Sequence, residues 1–416
     1  MPFFASIQAG LTLREWLSDT IGTKPRITPR QSQRLYFEHF ARRLILAHGL
    51  EDTFTVPAHS SAHILTEYVR DAVGQDGGLV TGSMEHGCRN CTHLKRYAAD
   101  LIAEGAALDT TENGVVDPPE RDHPNQTPEE IPPQLSMHPK QQVRVPGSAR
   151  GYTRLAVMDS KTITHRICAI SICEKPLVNY KNGRFCEDHL DKRYNGTRNT
   201  FTDLVVSLFP EFNESYMKEL VLLSSTTYCL QTVQWSCGCP IGWGKCYHSE
   251  SSSQVLKIIN KIWESYPNAR PSFLAYDDAC NLLRHIVTQN PDSPWIQATK
   301  FIVDAWHYIG NQAADILCRL WCNPAPTNGS QPDLISVSVD DTGRTHTTRA
   351  FNRETAEQLD AWLNGYEAQL RQMSNINYDF SVHVLMLLYK ELVDRRVEKK
   401  DEGLSEAFWE MVNSTD

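Results

Sequence analysis

No apolar run in this chain approaches the roughly 20 residues that span a bilayer. The opening stretch, MPFFASIQAGLTLREW, has neither a basic n-region nor an apolar core long enough for a signal peptide. Positive charge is in deficit: 41 Lys and Arg against 50 Asp and Glu give a net charge of −9. Composition therefore does not announce a nucleic-acid binder or a basic targeting run. There is no G-x-S-x-G nucleophile motif, which leaves a serine hydrolase without support. Internal repeats are also missing. What remains is ordinary globular material, 416 residues with 41% hydrophobic and 9% aromatic content, enough for two or three domains at roughly 100–200 residues each. The reading is a soluble, intracellular protein. Asn-x-Ser/Thr triplets at Asn195 and Asn213 then carry no glycan, and the twelve cysteines point to metal before disulfides.

Three regions follow one another. Residues 1–107 read as helical. Thr28 and Pro29 form a helix start, and Phe37, Phe40, Ala41, Leu44 and Ile45 recur at helical spacing on one face. Lys24, Arg26, Arg30, Arg34, Arg42 and Arg43 crowd the same stretch, as a solvated face or a phosphate contact. Residues 108–150 read as a disordered linker, broken by Pro118, Pro119, Pro124, Pro128, Pro132, Pro133, Pro139 and Pro146. Residues 151–400 alternate strands and helices. Strands are predicted over 154–158, 226–235, 241–247, 273–276 and 301–303, the second and third as a hairpin. A helix capped by Ser252 carries Val255, Ile258, Ile259, Ile262 and Trp263, and another carries Leu282, Leu283 and Ile286. Mainly helical sequence fills the remainder. The fold class this predicts is α/β, a mixed sheet flanked by helices.

Asp159 and Asp277 each close a predicted strand, at the sheet edge where ligands gather in open α/β folds. Paired carboxylates suit magnesium, and two such ions roughly 3.5–4 Å apart can activate a nucleophile and steady the leaving oxygen of a phosphodiester. On spacing alone, each aspartate reads equally as a helix cap or turn residue.

The cysteines carry a second chemistry. Cys168-x4-Cys173-x12-Cys186-x2-His189 has two close pairs around a hairpin-sized gap that contains an Asn-Gly turn. Three thiolates and an imidazole make a closed, structural zinc site, inserted at residues 165–195. His86-Gly-Cys88-Arg-Asn-Cys91-Thr-His93 shows only half a site, a knuckle with flanking histidines. Cys318 and Cys322 with His307 read as a further site or as packed thiols. Cys237, Cys239 and Cys246 read as core or turn residues, and Cys280 as packed under its helix.

Ala156–Ser160 (AVMDS), Tyr276–Cys280 (YDDAC), Asp304–Tyr308 (DAWHY), Cys318–Pro324 (CRLWCNP) and Arg349–Trp362 (RAFNRETAEQLDAW) together resemble consecutive landmarks of the KDZ (Kyakuja–Dileera–Zisupton) transposases. The resemblance implies an RNase H-like fold with an Asp, Asp, Glu triad: Asp159, Asp277, and Glu357 in preference to Glu354. It further implies magnesium-dependent DNA cleavage and strand transfer, DNA as partner, a nuclear protein and room for a homo-oligomer. Family members carry a cysteine cluster after Val-Met-Asp, as this chain does. A second Cys-rich half is missing, because no cysteine follows Cys186 until Cys229. That departure implies a shortened variant or a decaying copy. The rival reading is thus a remnant that keeps fold and zinc and binds DNA or protein without catalysis.

Overall fold

A computed structural model describes residues 29–49, 62–74, 77–106, 144–163, 227–247, 249–304 and 316–415, together with Leu108, Val178, residues 186–188 and Tyr308. The expected linker falls largely outside these residues, and so does most of the expected insert at 165–195.

In chain order the described elements begin with α1 (Pro29–Ala47), α2 (Ala62–Tyr68), α3 (Arg70–Val73), β1 (Gly77–Leu79), β2 (Thr92–Leu94) and α4 (Ala98–Ala103). The sheet-forming stretch follows, with β3 (Tyr152–Lys161), β4 (Thr227–Trp235), β5 (Pro240–Tyr247), α5 (Ser252–Ile262), β6 (Phe273–Ala275), α6 (Ala279–Gln289), α7 (Pro294–Ala298), β7 (Lys300–Ile302) and α8 (Ile316–Trp321). A two-stranded hairpin comes next, β8 (Ile335–Val339) and β9 (Thr345–Arg349). The chain continues through α9 (Thr355–Leu363), α10 (Glu367–Leu370), α11 (Asn375–Lys399) and α12 (Glu406–Asn413).

The main sheet runs β1-β5-β4-β3-β6-β7, with β2 laid against the first residues of β3. It is mixed: β3 is antiparallel to β4 and parallel to β6, which is parallel to β7. Apolar residues alternate along β3 because successive side chains point to opposite faces. Ala156 and Met158 join the core under α5 and α6, and Leu155 and Val157 join a second core that includes Ala356 of α9. Both faces are therefore covered, which makes the molecule a mixed α/β protein.

The apolar face expected of α1 forms. Phe37, Phe40, Ala41, Leu44 and Ile45 are all buried, and the Phe37 ring stacks on Phe380 of α11 at 5.2 Å. Packing is close between α5 and β5. A methyl group on Gly242 or Gly244 would meet Ile262 or Ile258 side-chain atoms at 2.7 and 2.6 Å.

Two differences from the sequence reading are structural. The stretch read as helical up to residue 107 contains β1 and β2, each too short to show a strand period and formed by pairing with β5 and β3. The helical remainder contains β8 and β9, an antiparallel pair that turns through Gly343 at φ +78°. Among the described residues, no helix is long and apolar enough to cross a membrane.

Candidate functional site

Three short parallel segments set the geometry. Val157 pairs with Ala275, and Ala275 with Ile302, so these residues stand level across β3, β6 and β7. Two residues further along each strand direction come Asp159, Asp277 and Asp304. Side chains two apart in extended chain share a face, and the apolar face below these acids is the one that packs on Ala356 of α9. That helix brings Glu357 to the same place. Asp159, Asp277, Asp304, Glu357 and Arg353 line one small, open cavity at the C-terminal edge of the parallel strands.

β3 is longer than its sequence suggests. Asp159 still pairs with Thr232 of β4 while the pairing with β6 has ended at Val157. The first acid is thus held by the sheet on one side and open on the other. Asp159 accepts a hydrogen bond from the Ser160 backbone at 2.7 Å, and Asp277 accepts one from the Asp278 backbone at 2.8 Å.

The site is crowded with like charge. Burial pushes the Asp159 carboxyl up to about 7, with Asp360, Glu357 and Glu250 raising it further against the Ser160 hydrogen bond. Burial likewise holds Asp360 at about 6, with Glu357 adding to the rise. Behind them, Tyr276 donates to Glu250 at 2.5 Å, and burial and that carboxylate push its hydroxyl well up. Arg353 is the buried cation of the wall. Its guanidinium donates to the Pro324 carbonyl, and its Nε and Nη1 have no hydrogen-bond partner among the described residues. Desolvation lowers its pKa to about 10.

An all-oxygen donor set whose members repel one another fits a hard divalent cation, because the ion's charge removes the repulsion. The spacing is open. Among the described residues only two groups bring three or more His, Cys, Asp or Glu ligand atoms within 4.8 Å of one another, and neither includes these acids.

Glu354 is placed differently from Glu357. It is the N-cap of α9, exposed, and is not among the residues lining the cavity. Asp304 was not nominated from sequence, although it occupies the same offset after β7 that Asp277 occupies after β6. Of the expected zinc ligands, Cys186 is buried, while Cys168, Cys173 and His189 lie outside the described residues. Cys280, Cys318 and Cys322 are buried in the main core, and His307 lies outside the described residues. His93 does not join the knuckle beside it. Its ring stacks on Phe351 at 4.1 Å and bonds the Arg89 carbonyl.

The fold and site define a mixed α/β protein with an acidic cavity at one sheet edge and cysteine-rich groups of the kind that take zinc. Residues 157–197 match the CxC6-like cysteine cluster associated with KDZ transposases, which relates the chain to those proteins. The matched stretch begins in β3 and takes in Asp159, Cys168, Cys173, Cys186 and His189. No curated protein and no solved structure matches the chain.

Proposed function

We propose that this chain is a KDZ transposase-derived protein whose RNase H-like core cuts and joins DNA, with Asp159, Asp277 and Glu357 holding magnesium. One observation carries the reading. Asp277 and Glu357, 118 and 198 residues beyond Asp159 in the chain, line a single cavity with it. The strand order adds to this: an antiparallel hairpin on one side of β3 and two parallel strands on the other is the arrangement expected of an RNase H-like sheet. The CxC6-like match beside Asp159 adds family context.

Bound magnesium would polarise the phosphodiester and favour a nucleophilic water or 3′-hydroxyl. The protein's own contributions follow from the site. Asp159, Asp277 and Glu357 supply the oxygen ligands, and Asp304 supplies a fourth carboxylate. Arg353, with two nitrogens unpartnered among the described residues, offers donors to a phosphate oxygen. The zinc-type cluster shapes contacts and does not react.

Supercoiled-plasmid nicking in magnesium tests the reading, comparing the parent with Asp277→Asn. The expected result is nicking by the parent and a loss of at least about 100-fold in the variant, since a lost ligand should exceed the 10–100-fold typical of its supporting partners. Equal nicking by both, or none by either, would favour a non-catalytic DNA- or protein-binding remnant instead.

A further inference from the structure

At the other end of β3 a second set of metal-type ligands comes together from two distant parts of the chain. The segment between β1 and β2 supplies His86, Cys88 and Cys91. The turn between β4 and β5 supplies Cys237, and one ligand atom from each of these four residues lies within 4.8 Å of the others. The Cys88 and Cys91 sulfurs are 3.6 Å apart, and His86 Nε2 is 3.1 Å from the Cys237 sulfur. Around a tetrahedral zinc with Zn–S of about 2.3 Å, sulfurs sit roughly 3.8 Å from one another. The group is already near that size.

The surroundings are those of a built site. Cys88 and Cys91 are fully buried and Cys237 nearly so, at 4% exposure. The knuckle is closed by backbone hydrogen bonds from Cys91 and Thr92 to the Cys88 carbonyl, at 3.1 and 3.0 Å. The opposing turn needs Gly238 at φ +90°, a conformation that lets Cys237 fold back toward the knuckle. His86 Nδ1 lies 3.0 Å from a carboxylate oxygen of Asp394 on α11. A carboxylate on one ring nitrogen leaves the other free to bind metal, which is how histidine ligands are commonly oriented. Two cations face the group: Arg396 donates to the Cys237 carbonyl, and Arg154 donates to the His86 carbonyl while lying over the Trp235 ring. Positive charge at this distance suits a shell of three thiolates and one imidazole.

We infer that His86, Cys88, Cys91 and Cys237 bind one structural zinc ion, with Asp394 orienting the histidine. The site uses none of the residues of the cysteine cluster at 157–197. It joins the segment before β2 to the hairpin of the main sheet, and through Asp394 to α11. Cys239, grouped with His86 and Asp394, flanks it on the histidine side.

The test is zinc content of the full chain by elemental mass spectrometry, for the parent, Cys88→Ser with Cys91→Ser, and Cys168→Ser with Cys173→Ser. The first double variant should lose one zinc per chain, and the second should leave this ion in place whatever the other cluster holds. Unchanged zinc in the first variant overturns the inference. Should that variant fail to fold, thiol alkylation of the unmodified chain, mapped by peptide, decides. Cys88, Cys91 and Cys237 should become reactive together when a chelator is added, while Cys246 and Cys280 stay protected. Protection of the three thiols that ignores the chelator would overturn the site.

Discussion

Glu354 and Glu357 stand three residues apart, a spacing that puts two side chains on one face once both are helical. Here the helix starts between them: Glu354 is the N-cap of α9, at φ −86° and ψ 9°, and only Glu357 lies inside the first turn. Glu357→Gln is therefore expected to lower plasmid nicking by at least about 100-fold, as a lost metal ligand should. Glu354→Gln should stay within about threefold of the parent, and an equal loss from both would reject this assignment. Asp159 gives a second expectation. Its carboxyl is raised to about 7 by burial and by neighbouring acids, so under the proposed function protons would compete with magnesium for it. Apparent magnesium affinity should rise by about fivefold between pH 6 and 7, by a further factor of about two between pH 7 and 8, and level off above, measured by calorimetric titration. The same raised pKa means that the metal-free fold loses stability as pH rises through 7. Magnesium should then raise the melting temperature more at pH 8 than at pH 6. The acids at 159 and 277 were legible because each follows an apolar strand. Asp304 follows a three-residue strand whose pairing, not its pattern, reveals the equivalence.

Between elements, α5 fits closely on β5. Ile258 and Ile262 lie over Gly244 and Gly242 with no space for a methyl group. Gly244→Ala should cost about 1–3 kcal/mol in urea denaturation, the usual range for overpacking. Adding Ile258→Val should recover part of it, and a Gly244→Ala protein as stable as the parent would refute the packing argument. On the opposite face, Trp243 donates to His383 of α11 at 3.3 Å, and full burial holds that imidazole down at about 4. A histidine kept neutral in the fold but free to charge when unfolded supports stability above its unfolded value near 6.5. That contribution is lost as pH falls from 6.5 to 4, on the order of 3 kcal/mol in all. His383→Gln should flatten the fall in denaturation midpoint over this range. The helical face of α1 and the strands β3 to β5 were readable from their periods. β1, β2 and the partners of the His86 knuckle were not, because each depends on residues far along the chain: β2 on Tyr152–Arg154, β1 on Gly242–Gly244, and the knuckle on Cys237.

Seen whole, the sheet carries unlike chemistry at its two ends: oxygen ligands where β3 runs out, and sulfur and imidazole where it begins. Loss of zinc from the His86 group should loosen the segment before β2 and raise amide exchange there and in the β4–β5 turn first. Unchanged exchange after chelation would show that this end holds itself together without metal. The acidic end has a different dependence, set by chain order. Asp159, Asp277 and Asp304 all precede the helix that carries Glu357 and completes the cavity. During synthesis the three aspartates leave the ribosome first, and the last wall follows only when α9 has emerged. A premature stop between residues 305 and 354 would yield a polypeptide with its three aspartates in hand and no means of enclosing what they hold.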